Sequence, residues 1–184
     1  SCITTQNDLL LNNLKAFYKD KTILEKMLNI ISGESKISLR VVDWFATNYA
    51  KKYYTVYELN EYNKRFKVYN DYKLHLKAYS KKRFDPFCRW DRITIPYKFD
   101  EIKNETIYVQ TTIGQLNFFK WALENEILNF IEDNLKVIED DMYISCKTNK
   151  TKNNNGERKK RQELSVSATR TVSKKNIKIN ISFD

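Results

Sequence analysis

The sequence predicts a helix-dominated α+β domain with a small antiparallel sheet and a basic C-terminal extension. Three observations carry this expectation. Apolar side chains recur at helical spacing through most of the first 143 residues. Short stretches instead alternate with a period of two, the mark of half-buried strands. Charge is uneven: residues 147–184 hold eleven Lys or Arg against three acids, while the 146 residues before them hold 22 against 20. With only three Gly and two Pro, the chain lacks the turn chemistry of a sandwich or barrel and has no glycine-rich phosphate loop.

Residues 7–31 read as helix, with Leu10, Leu14, Phe17, Leu24, Met27, Leu28 and Ile31 on one side. Asp20-Lys21-Thr22 is a candidate break and Gly33 a stop. A second helix is expected after Ser38, with Val41, Trp44, Phe45 and Tyr49 facing inward and Lys51 and Lys52 at its end, where cations suit the helix dipole. Residues 53–59 alternate and read as extended. Helical spacing returns over 66–80, with Val68, Tyr72, His75, Leu76 and Tyr79 as the apolar stripe. Asp85-Pro86 closes that region, because the residue before proline avoids the helical well.

Ile93, Ile95, Tyr97 and Phe99 alternate as a strand, and Pro96 confines it to a sheet edge. Residues 106–110 form its partner across a turn at 100–104. The longest helix is expected over 113–134: Thr112 and Gln115 have capping-box spacing, and Leu116, Phe119, Leu123, Ile127 and Ile131 follow on one stripe. Phe118, Trp121 and Leu128 widen that stripe, so this helix should be central. Asn134 interrupts it before a shorter helix over 135–143. The division is then a body over 1–146, a basic linker over 147–163 and an extension over 164–184. That extension ends in a strand with Ile177, Ile179, Ile181 and Phe183 on one face. The strand is expected to pair with the hairpin of residues 93–110 or with the sheet edge of a partner.

The charge pattern points to a class of partner. Residues 64–92 carry ten basic and three acidic side chains, so the rest of the body is net acidic. Segregated positive charge suits phosphate, because each neutralised phosphate releases counterion. The candidate nucleic-acid contacts are Lys81, Lys82, Arg83, Arg89 and Arg92 in the body, and Arg158, Lys159, Lys160 and Arg161 in the linker. Tyr79, Phe84, Phe87 and Trp90 are interleaved with the first group and are candidates to stack on unpaired bases, if they are not core. The linker cluster also fits a nuclear localisation signal or a thread through an assembly. Plain solubility is the simpler alternative for it.

Catalytic and metal chemistry find little purchase. His75 is the single histidine and sits on an apolar helical stripe, the setting of a satisfied core histidine. Glu139-Asp140-Asp141 reads as a solvated helix face rather than a cation site. Asp43, Asp85 and Asp91 read as structural ion-pair partners for Arg83, Arg89 or Arg92. Cys2, Cys88 and Cys146 have neither ligand spacing nor an even count, so inert thiols in a reducing, intracellular setting are expected. No stretch approaches the length of an apolar membrane span.

Three strings are distinctive: Val41-Val42-Asp43-Trp44-Phe45-Ala46-Thr47-Asn48-Tyr49, Ala78-Tyr79-Ser80-Lys81-Lys82-Arg83-Phe84-Asp85-Pro86-Phe87-Cys88-Arg89, and Thr111-Thr112-Ile113-Gly114-Gln115-Leu116-Asn117-Phe118-Phe119-Lys120-Trp121-Ala122. Together they resemble a family of uncharacterised proteins of large nucleocytoplasmic DNA viruses, the mimivirus-like group in particular, over about residues 37–184. The resemblance implies a viral origin and residence in the host cytoplasm (the viral factory) or the virion. It transfers no catalytic residue. The expectation is a non-enzymatic, DNA- or RNA-associated viral protein of genome packaging or transcription, without cofactor or metal. The alternative is a structural or adaptor subunit of a viral multi-protein complex, anchored by its C-terminal tail to other viral proteins.

Overall fold

The computed structural model describes residues 5–60, 64–89, 91–152 and 173–176. Helices dominate, and two small antiparallel sheets lie among them.

Helices α1 (Gln6–Phe17) and α2 (Lys21–Ser32) are separate because each has its own start signal. Thr5 and Asp8 form a capping box, and the Asp20 carboxylate accepts the Thr22 N–H over 2.9 Å. Gly33 ends α2 at φ 82°, a conformation that costs glycine nothing. Ser38 caps α3 (Leu39–Trp44). The chain then widens into a π-helical turn, Phe45–Tyr49, before the short α4 (Ala50–Lys52). Inside that turn the Thr47 hydroxyl donates to the Asp43 carbonyl over 2.7 Å.

Strands β1 (Val56–Leu59) and β2 (Lys64–Lys67) form the first sheet, with Tyr57 opposite Phe66. The helix expected from residue 66 therefore begins at Val68, because Phe66 is drawn into the ladder and its ring packs near Tyr57 and Trp121. Helix α5 (Val68–Phe84) breaks at Ser80, whose φ of 62° and ψ of 167° lie in a region open mainly to glycine. The straight part thus ends where the expected helix did.

Strands β3 (Arg92–Asp100) and β4 (Glu105–Thr112) make the expected hairpin, turning through Asn104 at φ 51°. A register shift between Pro96 and Lys98 accommodates the proline, and β3 is an outer strand as anticipated. Strand β5 (Ser173–Asn176) pairs with the other side of β4, placing Ser173 opposite Gln110 and Asn176 opposite Ile107. The expected strand over 177–183 lies outside the described residues. The part of the extension that is described does return to the hairpin.

The expected helix over 113–134 is two helices, α6 (Ile113–Glu124) and α7 (Ile127–Asp133). Glu126 sits between them at φ 53°. Tertiary contacts hold this break: Tyr57 Oη donates to the Asn125 carbonyl over 2.6 Å, and the Glu126 carboxylate accepts both the backbone and side-chain N–H groups of Asn60. Asn134 ends α7 as expected, its amide donating to the Phe130 carbonyl. Helix α8 (Leu135–Lys152) runs well past residue 143 and past residue 147, where the linker was expected to begin.

Helix α6 is the centre of the molecule. Leu116, Phe118, Phe119, Trp121 and Ala122 are buried, as are the polar Gln115 and Asn117. It packs against α1 and α5 and continues directly from β4. Tyr18 at the end of α1 donates its hydroxyl to the Leu116 carbonyl over 2.7 Å. Lys21 and Glu25 of α2 reach Pro96 and Tyr97, so the hairpin is fastened to the helical layer.

Candidate nucleic-acid interface

The segment that carries the body's candidate basic residues packs against the first turn of α6. Thr112 caps this turn, its hydroxyl accepting the Gln115 N–H over 3.2 Å, while the Thr111 hydroxyl donates to Gln115 Oε1. Gly114 lets the segment after α5 come close: a Cβ there would lie 2.7 Å from the Asp85 carbonyl and 3.3 Å from that of Lys82. Asn117 clamps the same segment by donating to the Arg83 carbonyl over 2.8 Å. The Ile113 N–H donates to the Asp91 carbonyl, and Arg92 stands opposite Thr112 in the β3–β4 ladder. Residues 81–92 thus wrap one corner of the molecule.

Of the candidate contacts, Lys81, Lys82, Arg89 and Arg92 are exposed at this corner and Arg83 is half-buried. Lys82 Nζ stands 3.5 Å from Asp91 Oδ1, so Asp91 pairs with a lysine at the corner. Asp85 turns inward and accepts the Phe87 N–H over 2.9 Å. Arg158, Lys159, Lys160 and Arg161 lie outside the described residues, as does Trp90.

Of the aromatic candidates, Phe84 is core, while Tyr79 and Phe87 are half-buried and pack against that core. Phe84 is fully buried, and its ring packs against Tyr72, His75, Phe118 and Trp121. Tyr79 stacks on it at 6.3 Å. Phe84 closes the core between α5 and α6, with Tyr79 at its edge.

The remaining titratable groups are structural in their contacts. His75 Nδ1 lies 3.2 Å from Asp71 Oδ2, and the Trp121 indole donates to the same carboxylate over 2.6 Å. The Asp71 hydrogen bond raises the His75 pKa against the opposing effect of burial. Asp43 is half-buried; burial and the neighbouring Asp85 charge push its carboxyl up to about 7, with Lys81 pulling the other way.

Asp141 departs from the expected solvated face. Glu139 and Asp140 are exposed, but Asp141 is buried and accepts from Trp44, from Lys52 over 2.5 Å and from Tyr53 over 2.9 Å. Burial would raise its pKa, yet those three donors hold it below the usual carboxylate value. Sequence spacing offered no sign of this, because the donors lie about 90 residues away.

Cys88 and Cys146 are free thiols, and Arg40 donates to Cys146 Sγ over 3.2 Å. Among the described residues no three His, Cys, Asp or Glu side chains are placed to hold a metal, and no helix is long and apolar enough to cross a membrane. Two clefts of about 550 and 470 Å³ lie away from the corner, the first beside Asn29, Leu123 and Leu128, the second beside Trp44, Lys52 and Asp141.

The chain is 45% identical over 163 residues to the uncharacterized protein L507 of Acanthamoeba polyphaga mimivirus. The match covers 88% of this chain and 61% of that protein, so the chain spans less than two thirds of its relative's length. No solved structure matches. A family of unknown function, DUF7197, matches residues 2–184. The strings that resembled a viral family thus lie within a match covering nearly the whole sequence, and the chain belongs to the DUF7197 family, with a mimivirus protein among its relatives.

Proposed function

We propose that this chain is a non-enzymatic protein that associates with nucleic acid in the packaging or transcription of a viral genome, in the host cytoplasm or the virion. The observation that supports the reading best is the corner at the first turn of α6. There the local fold gathers Lys81, Lys82, Arg89 and Arg92, exposed, from a stretch of net positive charge. The tail adds Arg158, Lys159, Lys160 and Arg161 to the same electrostatic attraction. Such binding is largely independent of sequence and steep in salt. It needs no cofactor.

The test is fluorescence anisotropy with labelled DNA and RNA at rising salt. Affinity is expected to fall steeply between about 50 and 200 mM salt. Neutralising Lys81, Lys82, Arg89 and Arg92 to Gln should weaken binding while leaving the melting temperature nearly unchanged, because exposed charges contribute little to stability. No binding at low salt, or binding indifferent to salt, sinks the reading.

A second reading, an adaptor subunit of a viral complex, draws on β5. It adds a basic outer strand, Ser173–Asn176, to the sheet, and sheet edges are a common place for protein partners to add strands. Deleting residues 173–184 separates the two. An intact monomer that still binds nucleic acid but no longer joins its complex favours the adaptor.

A further inference from the structure

We infer that the nucleic acid is gripped along α5 by its phosphate backbone, as a duplex, and that Lys51, Lys73 and Lys77 extend the contact surface beyond residues 81–92. This rests on the nucleic-acid reading above and names its substrate class.

The straight part of α5 has two faces. Val68, Tyr72, His75, Leu76 and Tyr79 turn toward the core, while Lys73 and Lys77 are exposed one turn apart. They stand about 6 Å apart along the axis. Lys51 joins them from α4: its Nζ lies 5.8 Å from the centre of the Tyr69 ring, and Lys73 Nζ lies 5.7 Å from the same centre. One ring is thus contacted by cations from two separate elements. Beyond the Ser80 break, Lys81 and Lys82 are also exposed. Before it, Lys64, Arg65 and Lys67 are exposed on β2, with only Phe66 turned inward. The acid within α5, Asp71, is engaged by His75 and Trp121.

The chemistry of this face favours a regular backbone over splayed bases. Binding unpaired bases calls for open aromatic platforms. Here Tyr72 and Tyr79 pack on Phe84, and Tyr69 serves Lys51 and Lys73. The large apolar group left exposed on the helix is Leu74, which has no π face. What remains on the straight part of α5 is Lys73 and Lys77, one turn apart. They cover about 6 Å, a length over which a duplex carries roughly three to four phosphate charges.

The experiment compares the full chain with its Lys73→Gln, Lys77→Gln double variant. Both are titrated into a mixed-sequence 20-base-pair DNA duplex and into a dT20 single strand at several salt concentrations, with circular dichroism confirming the fold. The parent should bind the duplex at least fivefold more tightly than dT20. The variant should lose affinity for the duplex, and the slope of log affinity against log salt should shrink by about 2, since each phosphate contact contributes about 0.9. A duplex preference of less than fivefold, or an unchanged slope in a folded variant of a parent that binds, overturns the inference and leaves the broader reading standing. A parent that binds neither nucleic acid at low salt, including one that binds only phosphatidylglycerol vesicles, overturns both.

Discussion

Trp44 donates its indole N–H to the carboxylate of Asp141, 97 residues further along the chain, over 3.1 Å. Lys52 and Tyr53 share that carboxylate, so one buried acid fastens α8 to the segment from α3 to α4. Removing it strands three donors that were arranged around a negative charge. Asp141→Ala should cost about 2 to 4 kcal/mol, since hydrogen bonds to charged groups contribute about 1.5 to 3 kcal/mol each and losses within one network do not add. Urea denaturation measures this; a midpoint equal to the parent's would show that α8 is held by its apolar face alone.

Gly114→Ala sets two effects against each other. Alanine is the better helix former by about 1 kcal/mol. Its Cβ would press to 2.7 Å from the Asp85 carbonyl, a backbone atom that cannot swing aside. Overpacking typically costs about 1 to 3 kcal/mol, so the variant should melt below the parent. Because the clash displaces the segment carrying Lys82 and Arg89, nucleic-acid affinity should fall with it. A stabilised variant would mean that the loop yields freely.

Trp121→Ala should be among the most damaging single changes. The side chain is 2% exposed, meets the rings of Phe66, Tyr72, His75, Phe84 and Phe118, and donates to Asp71. Emptying such a site costs about 3 to 5 kcal/mol, a large share of the roughly 5 to 15 kcal/mol of a typical domain. Thermal melting is the check, and a transition within a degree or two of the parent's would contradict the central place of α6.

Asp43 gives a pH signature. Its folded carboxyl titrates at about 7, well above the unfolded value of about 3.9. The folded state therefore holds this proton more tightly, and the associated stability is present in full below pH 4 and lost as pH rises through 7. Asp43→Asn should flatten that decline and leave the protein more stable than the parent at pH 8, by about 2 to 4 kcal/mol if the asparagine keeps the packing. Parallel stability curves for the two proteins between pH 5 and 8 would show that the group is not the source.

What the sequence revealed was what neighbouring residues decide among themselves. Asp20, Gly33, Ser38 and Thr112 cap or stop their helices by chemistry contained within a few positions, and each acts as read. The hairpin was legible because Ile93 and Ile95 alternate with polar residues and Pro96 marks an edge. Glu126 was not, because its left-handed conformation is supported by Asn60, 66 positions away. Phe66 was drawn from helix to strand by Tyr57. The basic cluster at 81–92 was visible as composition. Its gathering against Gly114, and the loss of Phe84 to the core, depended on how α5 and α6 meet.

Among the described residues, strand β4 is paired on both sides from Ile107 to Gln110, where β3 and β5 flank it together. Toward Glu105 and toward Thr112 its ladder continues on the β3 side. In amide exchange this makes a graded clock. The protons of residues 107–110 should be released last in the sheet, and those of Ser173–Asn176 earlier, since an outer strand can lift away without the hairpin opening. A ligand or partner that held β5 in place would show itself as a selective slowing at those four amides, with the rest of the sheet keeping its own time.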